Sequence, residues 1–245
     1  LIGANPINHE QGTAFSDPGS SATDNIDGDI SGNIVVTGSV NTNVAGTYTL
    51  TYNVSDAAGN NATTLTRDVI VADTIAPTLT LLGSTPHNHD QGTVYTDAGA
   101  SALDSFEGDI SGSIVVTGTV DVNTAGTYTL TYNVSDSAGN AATSITRDVV
   151  VADLTAPVIT LTGGSTVNHE QGTAYTDAGA TANDTLDGDL TLSIVVTGTV
   201  DANTAGTYTL NYNVSDAAGN AATTVSRTVV VADTTLPTIT LTGLA

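Results

Sequence analysis

A fixed step of 80 residues governs this chain. His9-Glu10-Gln11-Gly12-Thr13 returns as His89-Asp90-Gln91-Gly92-Thr93 and again as His169-Glu170-Gln171-Gly172-Thr173. The same shift carries Tyr48 to Tyr128 and Tyr208, Arg67 to Arg147 and Arg227, and Asp73 to Asp153 and Asp233, without insertion or deletion. The step is too long for a helical or leucine-rich solenoid and suits a whole small domain. The phase of the repeat places modules at 1–76, 77–156 and 157–236, with 237–245 as the opening strand of a fourth. The first module lacks most of its own opening strand, because Leu1 is equivalent to Leu81. The expectation is a window from a longer array. The competing expectation is head-to-tail strand exchange, in which the spare strand completes the first module of another copy.

No window shows helical periodicity. Between Thr47 and Asp56, Tyr48, Leu50, Tyr52 and Val54 alternate with threonines and an asparagine, the period of a half-buried strand. Asp56-Ala57-Ala58-Gly59-Asn60 supplies a turn and Thr63 to Val71 a return strand, together a hairpin. Further strands are expected at Ile34 to Val40 and Thr78 to Leu82, with weaker ones around Val94-Tyr95 and Ala100 to Ala102. Several short strands in about 80 residues predict an all-β chain of tandem immunoglobulin-like antiparallel β-sandwiches with Greek-key connections. Ala45-Gly46-Thr47-Tyr48 reads as a tyrosine corner, its hydroxyl bonding back to the preceding turn.

The run from Gly46 through Asn60, the segment Thr96-Asp97-Ala98-Gly99-Ala100 and the Asp109 loop resemble bacterial surface-protein Ig-like domains related to hyalin repeats. The resemblance spans all three copies. It implies an exported protein, at the bacterial cell surface or extracellular. Such modules occur in adhesins, stalks, filaments and secreted polysaccharide-degrading enzymes, so the likeness bears on fold more than on activity.

The charge is sparse and of one sign. Three arginines and no lysine face 25 acidic residues, for a net charge of −22. Nothing here neutralises a phosphate backbone or an anionic lipid surface, so nucleic acid and direct membrane insertion are excluded as expectations. Without cysteine there is no disulfide framework, thiolate metal site or cysteine nucleophile. The acids fall 8, 9 and 8 to a repeat, each set against one arginine, so the imbalance belongs to the module.

The densest acidic cluster is Asp24, Asp27 and Asp29, repeated as Asp104, Glu107 and Asp109 and as Asp184, Asp187 and Asp189. Carboxylates so close in a glycine-bearing loop suit calcium, which takes six to eight oxygen ligands from flexible loops. An exposed Asp-Gly turn is the other reading, because the order of an EF-hand is absent. Asp73, Asp153 and Asp233 lie in short prolyl joints, where the same two readings apply, an interdomain calcium or a turn. Asp17, Asp97 and Asp177, and likewise Asp56, Asp136 and Asp216, read as turn formers. Arg67 shares strand parity with Leu65, Val69 and Val71, which predicts a buried guanidinium held by a carboxylate or by carbonyls, a structural clamp.

A catalytic centre is assembled once, whereas these polar residues occur three times, so no active site is expected. The histidines lie in a glycine-bounded loop and read as neutral surface groups. The expected function is a non-catalytic stalk or spacer stiffened by calcium. The alternatives are a self-assembling filament subunit and a module recognising glycans or surface proteins, with Phe106 as the singular candidate anchor. The partners expected are neighbouring modules, other copies of the chain, or cell-surface glycans and proteins.

Overall fold

The structure, a computed structural model, describes residues 1–240. In the first repeat the strands are β1 (Ile7–Glu10), β2 (Thr23–Asp24), β3 (Gly28–Asp29), β4 (Val35–Thr37), β5 (Gly46–Asn53) and β6 (Leu65–Ala72). The second has β7 (Thr78–Leu81), β8 (His87–Asp90), β9 (Ala100–Asp104), β10 (Gly108–Asp109), β11 (Val115–Thr117), β12 (Gly126–Asn133) and β13 (Ile145–Ala152). The third has β14 (Val158–Leu161), β15 (Thr166–Glu170), β16 (Ala180–Asp184), β17 (Gly188–Asp189), β18 (Val195–Thr197), β19 (Gly206–Asn213) and β20 (Val225–Ala232).

The third repeat displays the sandwich in full. One sheet runs β15-β20-β19-β18 and the other β14-β16-β17. Ile159 and Ala182 from the second sheet meet Leu210 and Tyr212 from the first, with Val214 beyond them, so the apolar faces of both sheets make one core. In the first repeat the large sheet runs β1-β6-β5-β4, and Leu50, Tyr52, Val69 and Val71 form its buried face.

One pairing departs from the antiparallel expectation. β1 runs parallel to β6, with Ile7 opposite Val69 and Glu10 opposite Ala72, and β15 runs parallel to β20. The histidines expected in a loop therefore lie on an edge strand. The weak strand expected around Val94-Tyr95 is absent, and Val94 is exposed. Residues 233–240 form no strand; the rest of the opening strand expected at 237–245 lies outside the described residues.

Each repeat is locked by its arginine. Arg67 is fully buried on the same face of β6 as Val69 and Val71. It is paired with Asp17 and donates to the carbonyls of Ile2 and Gly19. The Tyr52 hydroxyl donates to the other oxygen of Asp17 at 2.7 Å, and the guanidinium carbon lies 5.5 Å from the Tyr52 ring centre. Arg227 repeats the arrangement with Asp177, Tyr212 and the carbonyls of Thr162, Gly164 and Gly179, and Arg147 pairs with Asp97. Asp17 and Asp177, expected only to form turns, are thus counterions. Burial pushes Asp177 up, but the Tyr212 hydroxyl and Arg227 outweigh it and hold the carboxyl below the ordinary range. Burial and the bond to Asp17 push the Tyr52 phenol up to about 12. The tyrosine corner is also present: the Tyr48 hydroxyl donates to the Val44 carbonyl at 2.8 Å, and Tyr128 and Tyr208 repeat it on Thr124 and Thr204.

Contacts divide the chain into two compact units. The first comprises Leu1–Thr85, Asp97–Gly118 and Thr129–Arg147; the second comprises Pro86–Thr96, Thr119–Tyr128 and the chain from Asp148 on. Each unit contains one joint between repeats.

Candidate metal centre

The joint in the first unit follows β6 as Asp73-Thr74-Ile75-Ala76-Pro77. It is clasped from β1: the Thr74 N–H donates to Glu10 at 3.0 Å and the Thr74 hydroxyl at 2.5 Å. In the second unit Asp90 takes the Leu154 N–H at 2.8 Å and the Thr155 hydroxyl at 2.7 Å. Glu170 repeats the clasp on Thr234, whose hydroxyl, ahead of that of Thr235, holds the carboxyl down at about 2. The recurrent acid after each histidine is therefore a fastening for the joint. The histidine itself bonds to the carbonyl four residues on, at 3.1 Å from His9 to Thr13.

Against this joint the fold brings two further aspartates. Asp104 ends β9, and Asp136 opens the hairpin after β12. One carboxylate oxygen from each of Asp73, Asp104 and Asp136 lies within 4.8 Å of the others, and all three residues are buried. Asp104 is 3% exposed and Asp73 7%. Each carboxylate is oriented by backbone N–H groups close by. Asp104 Oδ1 accepts from Phe106 and Glu107 at 2.7 and 2.9 Å, Asp73 Oδ1 from Ile75 at 3.2 Å, and Asp136 Oδ1 from Asn140 at 2.7 Å. The Asn140 amide donates to Asp136 Oδ2 at 2.8 Å and reaches the Asp73 carbonyl at 3.1 Å, which ties the hairpin to the joint. The second oxygens of Asp73 and Asp104 are buried and accept no hydrogen bond.

The joint in the second unit is built alike, but exposed Asp187, which also accepts the Ala217 N–H at 2.7 Å, stands in the cluster where the first joint has Asp104. Asp153, Asp187 and Asp216 bring carboxylate oxygens within 4.8 Å of one another, and the Asn220 amide donates to Asp216 at 2.8 Å and to the Asp153 carbonyl at 3.1 Å. Asp184 adds a fourth carboxylate, its Oδ1 turned to the N–H groups of Leu186 and Asp187 at 2.8 and 3.0 Å. Oδ2 of Asp153 and of Asp184 are again buried without a hydrogen bond.

Two carboxylates about 5 Å apart repel by about 3 kcal/mol at an effective dielectric near 20. A buried acceptor left without a donor costs a further ~1–3 kcal/mol. Burial first, then the neighbouring acids Glu10, Asp104 and Asp136, push Asp73 above its ordinary value against the pull of the Ile75 N–H. For Asp153 the Thr155 N–H pulls downward, and burial with the charges of Asp184, Asp216 and Asp90 overcomes it.

The loop acids expected to act together thus separate into two groups. Asp104, Asp184 and Asp187 face a joint. Asp29, Asp109 and Asp189 each accept the N–H two residues ahead, at 2.9 Å, in a local turn. Asp24 takes the N–H groups of Ile26 and Asp27, Asp27 takes that of Ala57 at 2.8 Å, and Glu107 takes that of Ser137 at 2.8 Å. Asp136 and Asp216, expected as turn formers, are buried at the joints, whereas Asp56 of the first repeat is exposed. The signal that would have found them is the Asp-x-x-x-Asn hairpin, whose asparagine has an amide to spare for another segment.

Phe106 also finds a place at the first joint. Its ring lies over Gly12, so close that a Cβ there would meet it at 2.8 Å. The counterpart Ile26 in the first repeat is 87% exposed, against 39% for Phe106. The aromatic ring is an apolar anchor between consecutive repeats.

An all-β array of Ig-like repeats, each carrying a buried arginine clamp and joined by clasped acidic segments, defines a tandem-domain structural protein. The chain belongs to the family of the bacterial surface protein, Ig-like domain, which matches residues 1–71, 79–151 and 159–231. It is similar to an uncharacterized 81.3 kDa protein of Acholeplasma phage L2, 34% identical over 83% of this chain and 29% of that protein. It is 30% identical to the pesticidal crystal protein Cry22Aa of Bacillus thuringiensis, over 90% of this chain and 31% of that one. Hyalin of Strongylocentrotus purpuratus is 32% identical over 80% of this chain and 17% of its own length. The chain therefore spans less than a third of each of these relatives. The family points to a surface or extracellular protein, and among the described residues no helix is long and apolar enough to cross a membrane.

Proposed function

We propose that this chain is a non-catalytic spacer: an array of Ig-like modules, stiffened by calcium, within a stalk of a bacterial surface adhesin or other extracellular protein. The observation that carries this reading is the identity of the copies. The clamp, the tyrosine corner and the histidine turn occur in all three repeats, and the acid clasp holds each segment that follows a last strand. A catalytic centre requires a constellation placed once in a cleft, whereas these groups recur from repeat to repeat. Glycan-array screening of separate modules tests the reading. No binding by any module is expected, and binding by one module alone makes recognition the function.

Strand exchange is the second reading. β9 and β16 are five residues long and pair with β7 and β14, whereas β2 has two residues and among the described residues pairs with β3 alone. Thr238-Ile239-Thr240, beyond the third repeat where the pattern of β7 recurs, are exposed. Electron microscopy of the purified chain separates the two: discrete short particles support the spacer, and filaments support exchange.

A further inference from the structure

We propose that each joint between repeats binds one calcium ion, the first on Asp73, Asp104 and Asp136 and the second on Asp153, Asp184, Asp187 and Asp216. The ion's purpose rests on the spacer reading; its binding does not. A cluster of acids alone is no site, but here the atoms facing the cluster are unusual. Oδ2 of Asp73 and of Asp104 are buried and accept no hydrogen bond, in residues 93% and 97% removed from solvent. The same two positions repeat as Asp153 and Asp184 in the second unit. Native proteins leave very few buried polar atoms without a partner, and a bound cation satisfies a buried carboxylate oxygen that no donor reaches.

The geometry suits calcium. Oxygens on opposite sides of a calcium ion, each about 2.3–2.6 Å from it, are about 5 Å apart, and the oxygens of Asp73, Asp104 and Asp136, and those of Asp153, Asp187 and Asp216, lie within 4.8 Å of one another. The donors are carboxylates throughout, without histidine or cysteine, which favours a hard cation over zinc or copper. The local N–H bonds leave one oxygen of Asp73, Asp104, Asp153 and Asp184 turned inward, so little reorganisation is needed on binding. The ligands also come from both sides of a joint. Asp73 follows the last strand of one repeat, while Asp104 and Asp136 belong to the next, so a single ion fastens two modules.

Calorimetric titration of the whole chain with calcium, after chelation with EDTA, tests this. Two tight equivalents per chain are expected. Asp104→Asn should remove one and Asp184→Asn the other, because asparagine keeps the turn-accepting oxygen and loses the charge. Asp109→Asn and Asp189→Asn, which alter acids used only in local turns, should leave both equivalents in place. Circular dichroism confirms that each variant is folded. No tight uptake by the parent chain, or uptake undiminished in the double Asp104→Asn, Asp184→Asn variant, overturns the proposal. The spacer reading then loses its calcium stiffening but otherwise stands, since it is judged by the glycan array and the particle images. Glycan binding by one module would defeat the spacer and leave the ion sites standing.

Discussion

Inside each repeat a buried cation meets a carboxylate; at each joint, carboxylates converge on one another and are held by backbone N–H groups and an asparagine amide. Arg67 is enclosed with Asp17, Tyr52 and two carbonyls, and the charges compensate within the fold. A few residues beyond it Asp73 joins Asp104 and Asp136, three buried carboxylates. The two regions bury similar groups under opposite terms. The clamp carries its counterion within the repeat, although Arg67 Nε is buried without a hydrogen bond, while the joint gathers acids alone. Six of the 25 acids behind the net charge of −22 gather in the two joint clusters.

The largest effect is expected at the clamp. Arg147→Met should destabilise the chain by about 3–5 kcal/mol, the usual cost of removing one member of a buried pair, read as a large fall in melting temperature in calcium and in EDTA alike. An unchanged melt would make the arginine dispensable. At the joint, Gly12→Ala should cost about 2–4 kcal/mol: its left-handed backbone (φ +77°) strains any side chain, and the new Cβ overlaps the Phe106 ring. Gly92→Ala shares the backbone (φ +80°) without a neighbour within 4 Å, so only the strain of about 1–2 kcal/mol is expected. Equal losses in the two variants would remove Phe106 from the joint.

Tyr212→Phe takes away the hydroxyl that Asp177 accepts and should cost about 1.5–2 kcal/mol, measurable by urea denaturation. The smallest effect is in pH. Asp17 and Asp177 are held below the ordinary carboxylate value in the folded state, so their stabilisation is complete above the unfolded value of about 3.9 and is lost as pH falls through the depressed one. Melting temperatures should therefore be insensitive to the clamps from pH 7 to 5 and fall below about 4, with a shallower fall in Asp177→Asn. An equally steep fall in that variant would assign the acid sensitivity elsewhere.

The parts of the fold legible in the sequence are those where side-chain type and period coincide. β5 alternates through Leu50 and Tyr52, Arg67 sits in register with Val69 and Val71, and Gly46 precedes the corner tyrosine. β1 was not legible, because Ile7-Asn8-His9-Glu10 is an edge strand whose contribution is its backbone, and its polar side chains turn to local bonds and to the joint. The joint cluster was half legible. The acidic loop and the acid beside the proline each suggested calcium, but Asp73, Asp104 and Asp136 lie about thirty residues apart and meet only once the sandwich is folded. Spacing along the chain carries no record of that meeting. The same holds for Asp17, whose turn is visible in sequence and whose arginine is fifty residues away.

A crystal grown in calcium offers the most direct measurement. The account predicts anomalous density at both joints, about 2.3–2.6 Å from the carboxylate oxygens of Asp73, Asp104 and Asp136 and of their counterparts at Asp153, Asp184, Asp187 and Asp216. Joints holding only water, or aspartates turned outward to solvent at saturating calcium, would contradict it.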